Sequence, residues 1–231
     1  MTRVSVITGG AGGMGVATAK IVGQGHTVVL ADVRQDRLDM AAAELAALGI
    51  TAIAVNADVT DRAAVDQLFA TATGLGPVIS VVHTAGVSPS MGAADYVIRT
   101  NAVGTVNVNE AFYGAAAEGA AIVNVASMAA HLLPDEIIPT AKFPLALTDE
   151  DAFLAEMAAA CAFAPEEVRS GMAYGVSKNF VKWYSCSQAE RFNAKGFRIV
   201  SVSPGSVETE MGLLEADAGA GAPQEVSHAP A

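Results

Sequence analysis

Of the four tyrosines in this chain of 231 residues, one, Tyr174, is followed four residues later by a lysine, Lys178. On a helix that spacing is one turn, so phenol and ammonium share a face. A free phenol ionises near pH ~10 and is a poor proton carrier at neutrality. A cation held beside it favours the phenolate and brings the group toward the range that general acid–base chemistry needs. A surface tyrosine and lysine one turn apart is the plainer reading of the bare pair. The pair acquires meaning if the rest of the chain delivers a cofactor and a second polar group to the same place.

A cofactor loop is present near the start. Arg3 to Thr8 reads as a short buried strand and runs into Gly9-Gly10-Ala11-Gly12-Gly13-Met14-Gly15, after which Val16 to Val22 has helical character. In that context glycines let the backbone turn tightly and approach a pyrophosphate, which rests on the free N–H groups of the helix N-terminus. Alone, the cluster would be a tight turn. Thr27 to Ala31 is a second strand with Asp32 at its end, placed to bind an adenosine ribose and to repel a 2′-phosphate, which selects NAD over NADP. Arg34 two residues on softens that preference, and a helix N-cap is the alternative role for Asp32.

These groups need a scaffold, and the remaining pattern supplies one. A helical repeat over Arg37 to Leu48 ends at Gly49, and Thr51 to Val55 is a third strand followed by Asp58-Val59. A helix over Asp61 to Ala72 and a fourth strand over Pro77 to Val82 lead to His83-Thr84-Ala85-Gly86. Asp95 to Ala117 is a long helix containing Asn101, and Ala121 to Ala126 is the fifth strand with Ser127 at its carboxyl end. Ligands of open α/β sheets bind at such ends, although a serine there also makes an ordinary turn residue. Residues 128–172 break the rhythm with Pro134, Pro139, Pro144 and Pro165 and helical patches near Asp149–Ala160 and Pro165–Ser170, which suggests a substrate loop. The helix opening at Tyr174 runs to Lys195, and Phe197 to Val202 is a sixth strand ending in Ser203-Pro204-Gly205. Strand and helix alternating through short links predict a doubly wound parallel α/β sheet of the Rossmann type, one domain over residues 1–211. The composition of 212–231 predicts a mobile tail.

Composition narrows the function. A net charge of −11 argues against nucleic-acid binding. Hydrophobic residues make up 52% and aromatics 6%, which suits strands buried on both faces. The mean hydropathy of +0.39 points to apolar surface covered by a second subunit. Cys161 and Cys186 lack metal-ligand spacing, and there is neither a signal-peptide pattern nor a membrane span, so a cytoplasmic protein is expected.

Thr8-Gly9, Gly13, Gly15, Asp58-Val59, Ala85-Gly86, Asn101, Ser127, Tyr174, Lys178 and Pro204-Gly205 occur in an order that resembles the short-chain dehydrogenase/reductase family, over residues 4 to about 211. The insertion before Tyr174 looks like the branch containing bacterial 3α-hydroxysteroid dehydrogenase/carbonyl reductase. The resemblance implies an NAD-dependent oxidoreductase acting on a small alcohol or ketone, as a homodimer or homotetramer. It implies Tyr174 as general acid/base, with Tyr174 and Lys178 both among the cofactor-binding residues, Lys178 on the nicotinamide ribose and lowering the tyrosine pKa. Ser127 would bind the substrate oxygen and Asn101 a relay water. Gly9, Gly13, Met14 and Gly15 would cradle the pyrophosphate, Asp58 and Val59 the adenine, with Ala85 and Gly86 beside them. Pro204, Gly205, Val207 and Thr209 would embrace the nicotinamide.

Two departures stand out. His83-Thr84 replaces the family's Asn-Asn, and His83 reads as a structural substitute for asparagine rather than a catalytic group. The family's seventh strand has no counterpart, which leaves a sheet edge and suggests pairing through the helices at Asp95–Ala117 and Tyr174–Lys195. The competing reading is a dinucleotide-binding regulatory protein without turnover.

Overall fold

The computed structural model describes residues 2–218. Its strands are β1 (Val4–Thr8), β2 (Thr27–Asp32), β3 (Ala52–Asn56), β4 (Val78–His83), β5 (Ala121–Val125) and β6 (Arg198–Val202). They form one parallel sheet in the order β3-β2-β1-β4-β5-β6. Its helices are α1 (Gly13–Val22), α2 (Gln35–Ala47), α3 (Arg62–Leu75), α4 (Ala94–Ile98), α5 (Gly104–Ala115), α6 (Glu150–Ala162), α7 (Glu166–Ser187), α8 (Ala189–Ala194) and α9 (Glu210–Asp217).

Alternation along the strands explains the layering. Ile7, Val28 and Leu30 pack with Leu38 and Leu45 of α2 on one face. Val6, Val29, Val81 and Ile122 pack with Leu68 of α3, Phe112 of α5 and Phe180 of α7 on the other. Every residue of β1 is buried, and an apolar side chain withdrawn from water contributes roughly 1.5–3 kcal/mol. The strand order reverses between β1 and β4, and that switch point opens the crevice in which such folds bind ligands.

Four expectations are corrected. Tyr174 does not open its helix: α7 begins at Glu166, behind Pro165 and with Glu166 and Glu167 in its first turn, and it ends at Ser187 before the separate α8. The helix expected from Asp95 to Ala117 is interrupted by a π-helical turn, Arg99–Val103, between α4 and α5. The insertion holds the two helical patches expected of it, as α6 and the start of α7, and the stretch read as loop is folded as well. It folds into 3₁₀ turns at Met128–His131 and Thr140–Leu147 and the helix α6, with Phe143 and Phe153 set against Phe180 at ring distances of 5.2 and 5.0 Å. It packs on α7 and on α4, the short first part of the stretch read as one helix from Asp95 to Ala117.

The stretch from Gly212 is the fourth. Up to Asp217 it is the body of α9, capped by Thr209, whose Oγ1 accepts the Gly212 N–H at 3.1 Å. Arg37 of α2 pairs with Glu210, and Glu215 accepts the Ser90 N–H at 3.0 Å. The helix therefore crosses the crevice and carries the domain past residue 211. The rest of the expected tail, 219–231, lies outside the described residues.

Candidate active site

The glycine loop is shaped by backbone contacts that leave no room for side chains. Gly9 has φ +63°, and a Cβ there would lie 2.7 Å from the Ala85 nitrogen. A Cβ on Gly15 would lie 2.2 Å from the Gly9 carbonyl oxygen. No side chain caps the start of α1, where Gly13, half-buried Met14 and Gly15 form the first turn, so its N–H groups are oriented for an anion. These features fit a dinucleotide pyrophosphate. Thr209 lies against Gly13, where a Cβ would meet its Cγ2 at 2.8 Å.

At the end of β2, Asp32 accepts the Ala11 N–H at 3.3 Å and the Arg34 N–H at 3.2 Å. It is not the cap of α2, whose N-cap is Arg34. Arg34 is turned to Asp36 and Arg37 to Glu210, so both nearby cations are paired. Asp58 Oδ1 accepts the N–H and hydroxyl of Thr60, each at 2.8 Å. Buried Val59 is fixed by Asn107, whose amide donates to its carbonyl at 3.0 Å.

Ser127, at the carboxyl end of β5, accepts the Ala129 N–H at 3.1 Å and lies close enough to the Tyr174 phenol to act on its pKa. Its turn is held from behind by Asn179, which donates to the Ala130 carbonyl at 2.9 Å, and from the side by Met128, whose N–H donates to the Pro204 carbonyl at 2.8 Å. Gly205 packs on the Met128 sulfur, and Val207 accepts the Thr209 N–H at 2.8 Å.

Lys178 is buried, with Nζ 5.8 Å from the centre of the Tyr174 ring and donating to the Val125 carbonyl at 2.9 Å. Gly86 makes space for it, since a Cβ there would sit 3.2 Å from Nζ and 3.0 Å from Asn101 Oδ1. Burial lowers the Lys178 pKa to about 8. The phenol departs from expectation. Burial raises the Tyr174 pKa, Ser127 pulls it down and the Glu215 carboxylate pushes it up further. Lys178 gives one of its donors to the Val125 carbonyl, and its charge is not among the causes of the shift.

Asn101 sits in the π turn. Its Oδ1 accepts the Val87 N–H at 2.9 Å, and its Nδ2 donates to the Val87 carbonyl at 3.0 Å and to Ser177 Oγ at 3.1 Å. The side-chain amide is thus engaged with protein partners. His83 is buried between Thr8 and Thr105, in keeping with its expected structural place. Asn107, Thr105 and Glu215 escaped the sequence reading. Asn107 and Thr105 stand six and four residues after Asn101, and a run of polar residues on one buried helix was the available signal. Glu215 lay in a stretch dismissed on composition.

The crevice therefore has a glycine cradle at one end and a half-buried hydroxyl and phenol with a buried amine at the other. Among the described residues no cluster of His, Cys, Asp and Glu could hold a metal ion, and no helix is long and apolar enough to cross a membrane.

Comparison with known proteins agrees. Over its full length the chain is similar to the short-chain dehydrogenase/reductase bsc3 of Alternaria brassicicola, 28% identical over 230 residues, covering 99% of this chain and 81% of that protein. Serine 3-dehydrogenase of Agrobacterium fabrum is 27% identical over 224 residues, covering 93% and 76%. A 1-deoxy-11-beta-hydroxypentalenate dehydrogenase of Streptomyces exfoliatus is 44% identical over 93 residues, 39% of this chain and 34% of that one. Among solved structures, an actinorhodin polyketide ketoreductase with NADPH superposes with a TM-score of 0.72 at 21% identity, covering 94% and 75%. The profile of the short chain dehydrogenases matches residues 3–137, more than half of the sequence, and the chain belongs to that family.

Proposed function

We propose that this protein is an NAD(H)-dependent oxidoreductase interconverting a secondary alcohol and a ketone. The observation that carries the reading is the Tyr174 phenol beside Ser127, with the buried Lys178 Nζ 5.8 Å from the centre of its ring, at the crevice end of β5. When bound, the dinucleotide supplies or accepts the hydride. In reduction, Ser127 hydrogen-bonds the carbonyl oxygen as negative charge grows on it, and the Tyr174 O–H gives that oxygen its proton. In oxidation the phenolate takes the proton back. Lys178 sits where it can return a proton to the phenolate and bind the nicotinamide ribose, while Asn101 holds the wall around it through Val87 and Ser177.

Asp32 supports NAD over NADP, and the pairing of Arg34 and Arg37 with Asp36 and Glu210 leaves neither cation to greet a 2′-phosphate. Met91, Met128, Leu132, Val207, Leu213 and Leu214 are exposed apolar side chains on the segments flanking the site, and they favour a hydrophobic, cyclic substrate. A cytoplasmic homodimer or homotetramer, paired through the helices of 95–117 and 174–195, is the assembly we infer.

Titration of NADH and NADPH by nicotinamide fluorescence, followed by turnover on a panel of steroid, cyclic and terpenoid ketones, tests this. NADH binds more tightly, Asp32→Ala narrows the gap, and at least one ketone is reduced. Equal or tighter NADPH binding would remove the role given to Asp32. Tight NADH binding with no turnover on any ketone would favour a regulatory dinucleotide binder.

A further inference from the structure

His83 ends β4 fully buried, and each of its ring nitrogens meets a threonine. Nδ1 is 2.7 Å from Thr8 Oγ1, and Nε2 is 3.1 Å from Thr105 Oγ1. The proton positions follow by elimination. Thr105 has one hydroxyl proton and donates it to the Asn101 carbonyl at 2.7 Å, as a helical threonine does to the residue four before it. Its oxygen must then accept from the ring, so Nε2 carries the hydrogen. A neutral imidazole has only one N–H, which leaves Nδ1 to accept the Thr8 hydroxyl proton. The Thr8 oxygen in turn accepts the Ala85 N–H at 3.4 Å. Burial, with Lys178 nearby, keeps the ring neutral by lowering its pKa to about 3.

All of these bonds point one way, from the Ala85 N–H through Thr8 and His83 to Thr105 and the Asn101 carbonyl. Both ends matter to the site. Ala85 packs against Gly9 of the glycine loop, and Asn101 is held beside Gly86 and Lys178 in the π turn. An asparagine at position 83, the type found in the family pattern, is too short to reach the second threonine, because its amide ends where Nδ1 stands.

We propose that His83 is a positioning residue: as the Nε2–H tautomer it spans from the cofactor loop to the π turn and thereby fixes the surroundings of Lys178. The proposal rests on the catalytic reading above, and its test has an arm that does not. Nitrogen-15 imidazole spectra of the unaltered protein show the buried ring as a neutral Nε2–H tautomer at pH 7, and finding Nδ1–H would overturn the proposal whatever the enzyme does.

Two substitutions divide the two bonds. His83→Asn keeps an acceptor for Thr8 and loses Thr105, whereas His83→Gln places an amide N–H where Nε2 stood. His83→Asn and Thr105→Val each lower kcat by about ten-fold, the scale of a small misplacement at a reacting centre, with the KM for NADH within about three-fold. The two losses are not additive in the double variant, and His83→Gln restores most of the turnover lost in His83→Asn. Equal turnover for the Asn and Gln variants at matched melting temperatures would overturn the proposal. So would a loss that tracks melting temperature alone.

Discussion

The glycine loop after β1 and the Tyr174 site lie at the same end of the sheet and are built from different materials. The loop is backbone: Gly9 and Gly15 work because nothing projects from them, and the start of α1 offers N–H groups with no side chain in the way. The Tyr174 site is side chains, each held by others: Ser127 by its turn, Asn101 by Val87 and Ser177, Lys178 by Val125. A backbone site fails when atoms are added, whereas a side-chain site fails when they are removed. It follows that damage to the first reads out as lost cofactor affinity and damage to the second as lost turnover.

A large effect belongs to the loop. Gly15→Ala drives a methyl group to 2.2 Å from a carbonyl oxygen that belongs to the loop itself, so the loop has to rearrange. NADH affinity falls by about 100-fold or more in a fluorescence titration, the scale of a displaced binding group. Ser127→Ala is the matching deletion, and it costs about 10²–10³ in kcat, as removal of an oxyanion donor does, with NADH affinity within a few-fold. If either variant shows the other's signature, the division between the two regions is wrong.

Stability against acid sharpens the comparison, because the buried polar chain runs between the two regions. His83 has a folded pKa near 3 and an ordinary value of about 6.5 when unfolded. Between those values the unfolded chain binds a proton that the folded chain does not. Stability contributed by the neutral ring is therefore fully present above pH ~6.5 and is lost as pH falls toward 3, with a slope of up to about 1.4 kcal/mol per pH unit. Urea unfolding across that window shows this loss in the unaltered protein, and His83→Gln flattens it. An unchanged slope in the variant assigns the acid lability to carboxylates elsewhere.

The smallest effect concerns α9. Glu215 raises the pKa of Tyr174, so Glu215→Gln removes a negative charge and makes the phenolate easier to form. The rising limb of the pH profile for alcohol oxidation moves to lower pH, and the shift shrinks in high salt. No movement at low salt would place Glu215 too far from the phenol to act on it.

The same division explains what was legible in the sequence. Strands such as β1 and β2 announce themselves as apolar runs, and a glycine loop between strand and helix is a local pattern, so both were readable with boundaries off by one or two residues. Tyr174, Lys178 and Ser127 were readable as an ordered set. Ser127 fills the plainer of its two readings, capping its turn through Ala129. What escaped depends on partners distant in sequence. The π turn at Arg99–Val103 carries Asn101, which bonds to Val87 and Ser177, 14 and 76 positions away. Position α9 owes its anchoring to Arg37 and Ser90, so its small-residue composition pointed the wrong way. The raised Tyr174 pKa comes from burial, and a lysine one turn away says nothing about that.

The central claim is that Tyr174 matters far more for moving the proton than for holding the cofactor. Tyr174→Phe removes one hydroxyl from a half-buried ring, and NADH affinity and turnover can be measured on the same sample. Turnover falls by about 10²–10⁴-fold or more while NADH affinity stays within a few-fold. Retained turnover in Tyr174→Phe would contradict the account, and so would a collapse of NADH binding that explains the whole loss.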